Sequence, residues 1–231
     1  RAAPGGRAVC ENCHGGATPP NATHCPYPLY RTSVDVRPTY GSVLANLATT
    51  ARWARANLSR PGCWAYPDML EVGVSTHVGR LSPAEARTHF GAWAIVSSPL
   101  VLSHNVTDRR ATDELWELIA NREAIAINQA WAGHSGSPFA RSAATVRLSW
   151  REAAGLDEPR TRATVRAREA RGDDVGALVE RAHDTPEWQY MYKPLTRSGS
   201  RVAVLLLNSA ASARDLPLDF RNVPSLACAA A

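Results

Sequence analysis

The 231-residue chain predicts an α/β fold in which a helix-covered parallel sheet is followed by an antiparallel β segment. Three observations predict it. Over residues 1–136 short strand-like runs alternate with helix-period runs, in the order strand, strand, helix, strand, helix, strand, helix. Alternation of this kind builds a parallel sheet with helices outside. The run PLVLS (99–103) is apolar almost throughout, as strands buried on both faces are. After Gly136 the pattern changes to a two-residue alternation, in TVRLSW (145–150), part of 188–192, RVAVLLLN (201–208) and LPLDF (216–220), which is antiparallel territory. A (β/α)8 TIM barrel is one way to close the first pattern, and four strands are half of one. The chain therefore divides at residue 136, and 137–231 carries an Arg-rich insertion without steady period over about 151–187.

Each element has its own signal. RAVCE (7–11) reads as a short strand, and 15–25 as a loop dense in Gly, Pro, Thr and Asn. PLYRTSVD (28–35) is the second strand. Tyr40 to Leu58 reads as one helix, because Tyr40, Val43, Leu44, Leu47, Ala51, Ala54 and Leu58 share a face. Pro61-Gly62 punctuates, and MLEV (69–72) is the third strand. Ser82-Pro83-Ala84-Glu85 is a capping box with proline at the first helical position. Its helix runs to about Ser97 and buries Phe90 and Trp93. PLVLS is the fourth strand, and a helix over about Thr112 to Asn121 turns Leu115, Leu118 and Ile119 inward, with Trp116 read as core.

Composition excludes some functions. No apolar run reaches the roughly 18 residues a membrane helix needs. The net charge of +5 does not mark a nucleic-acid partner: Lys193 is the only lysine, and the arginines are scattered among alanines, not set in a stripe with aromatics. Five cysteines and three Asn-x-Ser/Thr sequons, at Asn21, Asn57 and Asn105, favour a secretory or lysosomal route. The opening RAAPGGRAV lacks the apolar core of a signal peptide, so a leader is expected outside this chain. CENCH (10–14) alone is compatible with c-type haem attachment, half a zinc site or a redox dithiol.

Three stretches taken together narrow the reading: YRTSVD (30–35), PGCWAYPDMLEVG (61–73), and HFGAWAIVSSPLVLS (89–103) followed by AIAINQ (124–129). In this order they resemble the α-galactosidases of glycoside hydrolase family 27. The resemblance covers about Ala8 to Gly136. It implies the second half of a (β/α)8 barrel followed by a truncated antiparallel β-sandwich, and a retaining hydrolase of terminal α-linked galactose. Asp35 matches the acid/base carboxylate, which protonates the leaving oxygen and then activates water. Arg31 and Asp68 match ligands of sugar hydroxyls, and Met69 lines the same wall. Glu11 matches the residue at the sugar's 2-position, where N-acetylgalactosaminidases carry smaller side chains, so it favours galactose. The resemblance also implies a Cys10–Cys25 disulfide, which leaves no metal and no cofactor in the site. Haem would need a helical surround and an axial partner that a βα half-barrel does not offer. Cys10, Cys13, His14 and Cys25 remain the alternative zinc set. A homodimer of the full-length protein is compatible with the family.

The chain departs from the family at Cys13, at Cys63 where glycine is common, and at Tyr66 where aspartate is usual. The family's nucleophilic Asp belongs to a strand expected before Arg7. The competing readings are a carbohydrate-binding relic without turnover and an α-N-acetylgalactosaminidase.

Overall fold

The computed structural model describes residues 9–13, 20–76, 79–147 and 184–226. The fold is α/β. Strands β1 (Glu11–Asn12), β2 (Leu29–Arg31) and β3 (Trp64–Tyr66) form a parallel sheet in that order, with Leu29 opposite both Glu11 and Trp64. Helices α1 (Tyr40–Ala48), α2 (Ala51–Arg55), α3 (Pro83–Ile95), α4 (Arg109–Ile119) and α5 (Arg122–Gln129) lie between and after the strands. Beyond them β4 (Ser137–Arg141), β7 (Trp188–Pro194) and β8 (Val202–Asn208) make an antiparallel sheet, while β5 (Thr145–Arg147) pairs with β6 (Asp184–Pro186). Residues 7–8, 14–19 and 148–183, which include the rest of the first predicted strand, His14 and most of the Arg-rich insertion, lie outside the described residues.

The capping box starts α3. The Glu85 amide donates to the Ser82 hydroxyl at 3.3 Å, and the Ser82 amide donates to the Glu85 carboxylate at 2.7 Å. The single helix expected over 40–58 is instead two. The hydroxyls of Thr49 and Thr50 turn back onto the carbonyls of Asn46 and Leu47 at 2.6 and 2.7 Å, and such bonds compete with the helical ladder. The chain then leaves α2 through Asn57 in the left-handed region, φ 53°.

Three other expectations are corrected. MLEV and PLVLS do not form full strands; they meet at one parallel bridge, Leu70 to Leu102, and Val101 and Leu102 are exposed. The left-handed backbone at Asp68, φ 85°, turns the chain between β3 and Leu70 and interrupts the ladder. LPLDF is not a strand: Pro217 has no amide to donate, and Asp219 caps a 3-10 turn over Phe220–Asn222. Trp116 is 60% exposed, because it lies one residue off the Leu115, Leu118, Ile119 stripe on α4.

The expected Cys10–Cys25 disulfide is also corrected: Cys25 is joined to Cys63, with Cα atoms 6.1 Å apart, and Cys10 and Cys13 are free and exposed. The sheet register explains the exchange. The Trp64 amide donates to the Pro28 carbonyl at 2.9 Å, which carries Cys63 alongside the approach to β2. There both cysteines pack with Tyr30, Trp53 and Ala65 in a small apolar cluster. The zinc set proposed from CENCH loses Cys25 for the same reason.

One core unites the two patterns of sequence. Val43, Leu44 and Leu47 of α1, Leu70, Val72, Phe90 and Trp93 pack in a cluster that continues to Met191 of β7 and Leu207 of β8. Two contacts fix the junction. At Gly136 (φ 95°) a Cβ would lie 1.8 Å from the Ile95 carbonyl oxygen, so only glycine fits. Lys193, fully buried, donates from Nζ to the carbonyls of Ile127 and Asn128 at 2.5 and 2.7 Å, capping the C-terminal end of α5.

Candidate active site

The parallel sheet brings one end of its three strands together. Glu11 lies in β1, Arg31 is the last residue of β2 with Asp35 four residues on, and Asp68 follows β3 by two. These are the carboxyl ends, where α/β proteins build their sites.

Arg31 is the hub. Its guanidinium is almost fully buried, and Nη2 lies 2.9 Å from Asp68 Oδ2 and 3.1 Å from Asp35 Oδ1. Nη1 donates to Cys13 Sγ at 3.6 Å, and Nε has no hydrogen-bond partner among the described residues. Burial pulls the guanidinium pKa down, but Asp68 and Asp35 more than offset it, so it stays raised and charged.

Asp68 is held on every side. Oδ2 also accepts from the Val36 amide at 2.8 Å, Oδ1 accepts from the Met69 amide at 2.9 Å, and its carbonyl accepts from Trp93 Nε1 at 2.6 Å. These bonds hold an aspartate in backbone geometry that non-glycine residues rarely adopt. Asn46 Nδ2 donates to the carbonyls of Val34 and Pro67, at 3.0 and 3.1 Å, and so ties the loop after β2 to the loop after β3.

The other residues differ in exposure. The Asp35 side chain is 76% exposed. Glu11 has its pKa raised, first by burial and also by the charge of Asp68, against the pull of Arg31 and a hydrogen bond from Cys13. Met69 is 37% exposed and joins the site through its backbone. Behind them Glu71 is buried, accepts from the Ser103 hydroxyl at 3.1 Å and has its pKa raised by burial. Its amide donates to His89 Nε2 at 2.9 Å, and the His89 ring meets Trp93 edge-on at 4.1 Å. Trp64, half-buried, packs edge-on against Trp131 at 5.5 Å.

The structure thus brings together Glu11, Arg31, Asp35, Asp68 and Met69 and leaves Cys10 outside. Two residues were not assigned to the site from sequence. Cys13 contacts Arg31 directly, and Tyr66, buried at the end of β3, feels Asp68, Glu11 and Arg31. Their signal was departure from the family pattern; no spacing or periodicity marks them. Chemically, the cluster offers a pinned carboxylate, a guanidinium whose Nε has no partner among the described residues, and an exposed carboxylate.

Residues 22–130 match the family model described as α-galactosidase A. The chain resembles an α-galactosidase. Alpha-galactosidase 2 of Arabidopsis thaliana is 36% identical over 108 residues, which is 46% of this chain and 25% of the relative. The α-galactosidase of Cyamopsis tetragonoloba is 42% identical over 76 residues, 33% of this chain and 17% of the relative. That of Lachancea cidri is 44% identical over 69 residues, 30% of this chain and 13% of the relative. The fold is shared with a Bacteroides fragilis protein, a candidate α-galactosidase of known crystal structure. Its TM-score is 0.59 at 20% identity, over 88% of this chain and 36% of that one. The α-galactosidase-like chain spans about a quarter of the length of the first of these relatives. Arg31, Asp35, Asp68 and Met69 lie inside the matched stretch; Glu11 and Cys13 precede it.

Proposed function

We propose that this chain supplies the second half of the catalytic (β/α)8 barrel of a retaining α-galactosidase, together with the first part of its antiparallel β-sandwich domain. The observation that carries the reading is one guanidinium joining a pinned aspartate and an exposed aspartate at the carboxyl ends of parallel strands. The margins of the sheet support the half-barrel: among the described residues β1 pairs only with β2, and Val101 and Leu102 at the other side are exposed. Further strands would cover both.

In this mechanism Asp35 acts as general acid. It gives its proton to the glycosidic oxygen as the bond to the anomeric carbon breaks. As carboxylate it then takes a proton from the water that releases the sugar. Its exposure leaves it open to the leaving group and then to the water that replaces it. Asp68 and Arg31 receive the sugar hydroxyls, and Glu11 crowds the 2-position so that galactose enters and N-acetylgalactosamine does not. Asp68 is not the nucleophile: both of its oxygens already accept backbone amides, and one also faces Arg31. A retaining reaction needs a second carboxylate about 5–5.5 Å from the first. We assign it to a segment beyond these 231 residues. The substrate is an α-galactoside, with no cofactor. The sequons support a secretory route, since Asn21, Asn57 and Asn105 are all exposed.

The test is anomeric. Protein containing this chain and the preceding barrel segment should release galactose from an α-galactoside as the α-anomer, seen by proton NMR before mutarotation. The 231-residue chain alone should release none. Release of the β-anomer would remove the retaining mechanism. Sugar binding without turnover in the longer protein would favour the carbohydrate-binding relic.

A further inference from the structure

We propose that Asn21 and Asn105 are sites of N-linked glycosylation and that the third sequon, at Asn57, is passed over; this rests on the secretory route proposed above. The sequons are Asn21-Ala22-Thr23, Asn57-Leu58-Ser59 and Asn105-Val106-Thr107. All three asparagines are exposed, so exposure does not separate them. The placement of the hydroxyl residue does. At two of them the same local turn forms. Asn21 Oδ1 accepts from the Thr23 amide at 3.0 Å and from the Thr23 hydroxyl at 3.1 Å. Asn105 Oδ1 accepts from the Thr107 amide at 3.1 Å and from the Thr107 hydroxyl at 2.7 Å. Both threonines are exposed. The oxygen of each side-chain amide is thus tied to the chain, while Nδ2, on the other branch, is left to be modified beside an accessible hydroxyl. These bonds close within three residues and need no tertiary partner. A chain entering the secretory route can form them before the rest of the fold is complete.

Asn57 is built differently. It leaves α2 in the left-handed region, and its hydroxyl residue faces inward: Ser59 is 2% exposed, and its Oγ accepts from the Ala65 amide of β3 at 3.1 Å. The Leu58 carbonyl between them accepts from the Tyr30 hydroxyl at 3.0 Å. The hydroxyl that the modification requires is therefore committed to the sheet. Arg60 adds a second obstacle. It donates to the carbonyls of Asn57 and Ala22, at 3.1 and 3.0 Å, so the first two sequons lie side by side and a glycan on Asn21 stands beside Asn57. At Asn105 the glycan has apolar surface to cover, since Val106 is 59% exposed. In the reaction, Nδ2 forms a bond to the anomeric carbon of an oligosaccharide carried on a lipid pyrophosphate. The bond from that carbon to the phosphate oxygen breaks, the lipid pyrophosphate leaves with the electron pair, and one amide proton passes to solvent. The product is a bulky, solubilising surface group.

The experiment takes the full-length protein from a eukaryotic host, releases its N-glycans enzymatically in heavy-oxygen water and maps the peptides by mass. Each asparagine that carried a glycan is then read as a labelled aspartate. Label should be near complete at Asn21 and Asn105 and near absent at Asn57. Asn21→Gln and Asn105→Gln should each remove one glycan from the intact mass, and Asn57→Gln none. Thr23→Val and Thr107→Val, which keep the shape and lose the hydroxyl, should leave their asparagines bare, whereas Thr23→Ser and Thr107→Ser should keep the glycan. The wild-type map decides the question even where a variant fails to fold. Label at Asn57 equal to that at the other two, or a bare Asn21 or Asn105 in protein recovered from the medium or endomembranes, would overturn the proposal while leaving the secretory route standing. Protein found only in the cytosol, without label, would overturn that route and this proposal with it.

Discussion

Arg31 answers to three groups at once, and its substitutions should separate their contributions. Arg31→Met leaves Asp68 buried without its cation. Breaking a buried pair in this way costs about 3–5 kcal/mol, so urea unfolding should show a large fall in stability. Arg31→Lys keeps the charge but not the planar fork, and should restore much of the stability without restoring sugar binding. Equal sugar affinity in wild type and Arg31→Lys would remove the guanidinium from recognition. At the same scale, Glu11→Ser should admit N-acetylgalactosamine and weaken galactose, since it removes both the bulk beside the sugar's 2-position and a hydrogen-bonding partner of the sugar. Unaltered selectivity in that variant would sink the role given to Glu11. These residues were legible because YRTSVD and PGCWAYPDMLEVG are specific strings. Their geometry was not. Neither the exposure of Asp35 nor the left-handed backbone of Asp68 follows from residue type, because both depend on amides and carbonyls supplied by other loops.

At the level of elements, the Cys25–Cys63 bridge ties the loop before β2 to the loop before β3 across 38 residues. Closing a loop of that size is worth about 4 kcal/mol in the chain-entropy model. Cys63→Ser should therefore lower the unfolding midpoint markedly, and mapping without reduction should yield a Cys25–Cys63 peptide. A Cys10–Cys25 peptide would contradict the register of β2 and β3. The pairing was not legible because it is set by that register, which no local signal encodes. Helix starts were more visible: the Ser82–Glu85 box acts within four residues, and it is present as the sequence reads. The break at Thr49 and Thr50 was not, since those positions continue a face that is helical by periodicity. LPLDF failed for the opposite reason: alternation over five residues was weighed above the proline within it.

For the molecule as a whole, the continuous core makes the α/β part and the β4-β7-β8 sheet depend on one another, and two buried bases couple that core to pH. Burial holds His89 neutral with a pKa of about 3, against an ordinary value of 6.5. Between those values the unfolded chain takes up a proton that the folded chain refuses. Stability from this group is complete above pH 6.5 and falls as pH drops toward 3, by about 1.4 kcal/mol per unit at most. Lys193, lowered by burial from 10.5 to about 7, acts in the same direction over a higher window, with stability falling from pH 10.5 toward 7 and no further slope below it. Unfolding curves of His89→Gln should lose the slope between pH 6.5 and 3, and those of Lys193→Met the slope between 10.5 and 7. An unchanged pH profile in either variant would mean that the group is not buried as described.

The central claim is that Asp35 is the acid/base of an α-galactosidase, and leaving-group dependence tests it most directly. In full-length protein, Asp35→Asn should lose several orders of magnitude in kcat/KM on an unactivated α-galactoside, whose leaving oxygen needs a proton. It should lose far less in the first step on an aryl α-galactoside with a good leaving group, which needs little protonation. Near-normal hydrolysis of the unactivated substrate by Asp35→Asn, or equal losses on both substrates, would contradict the account.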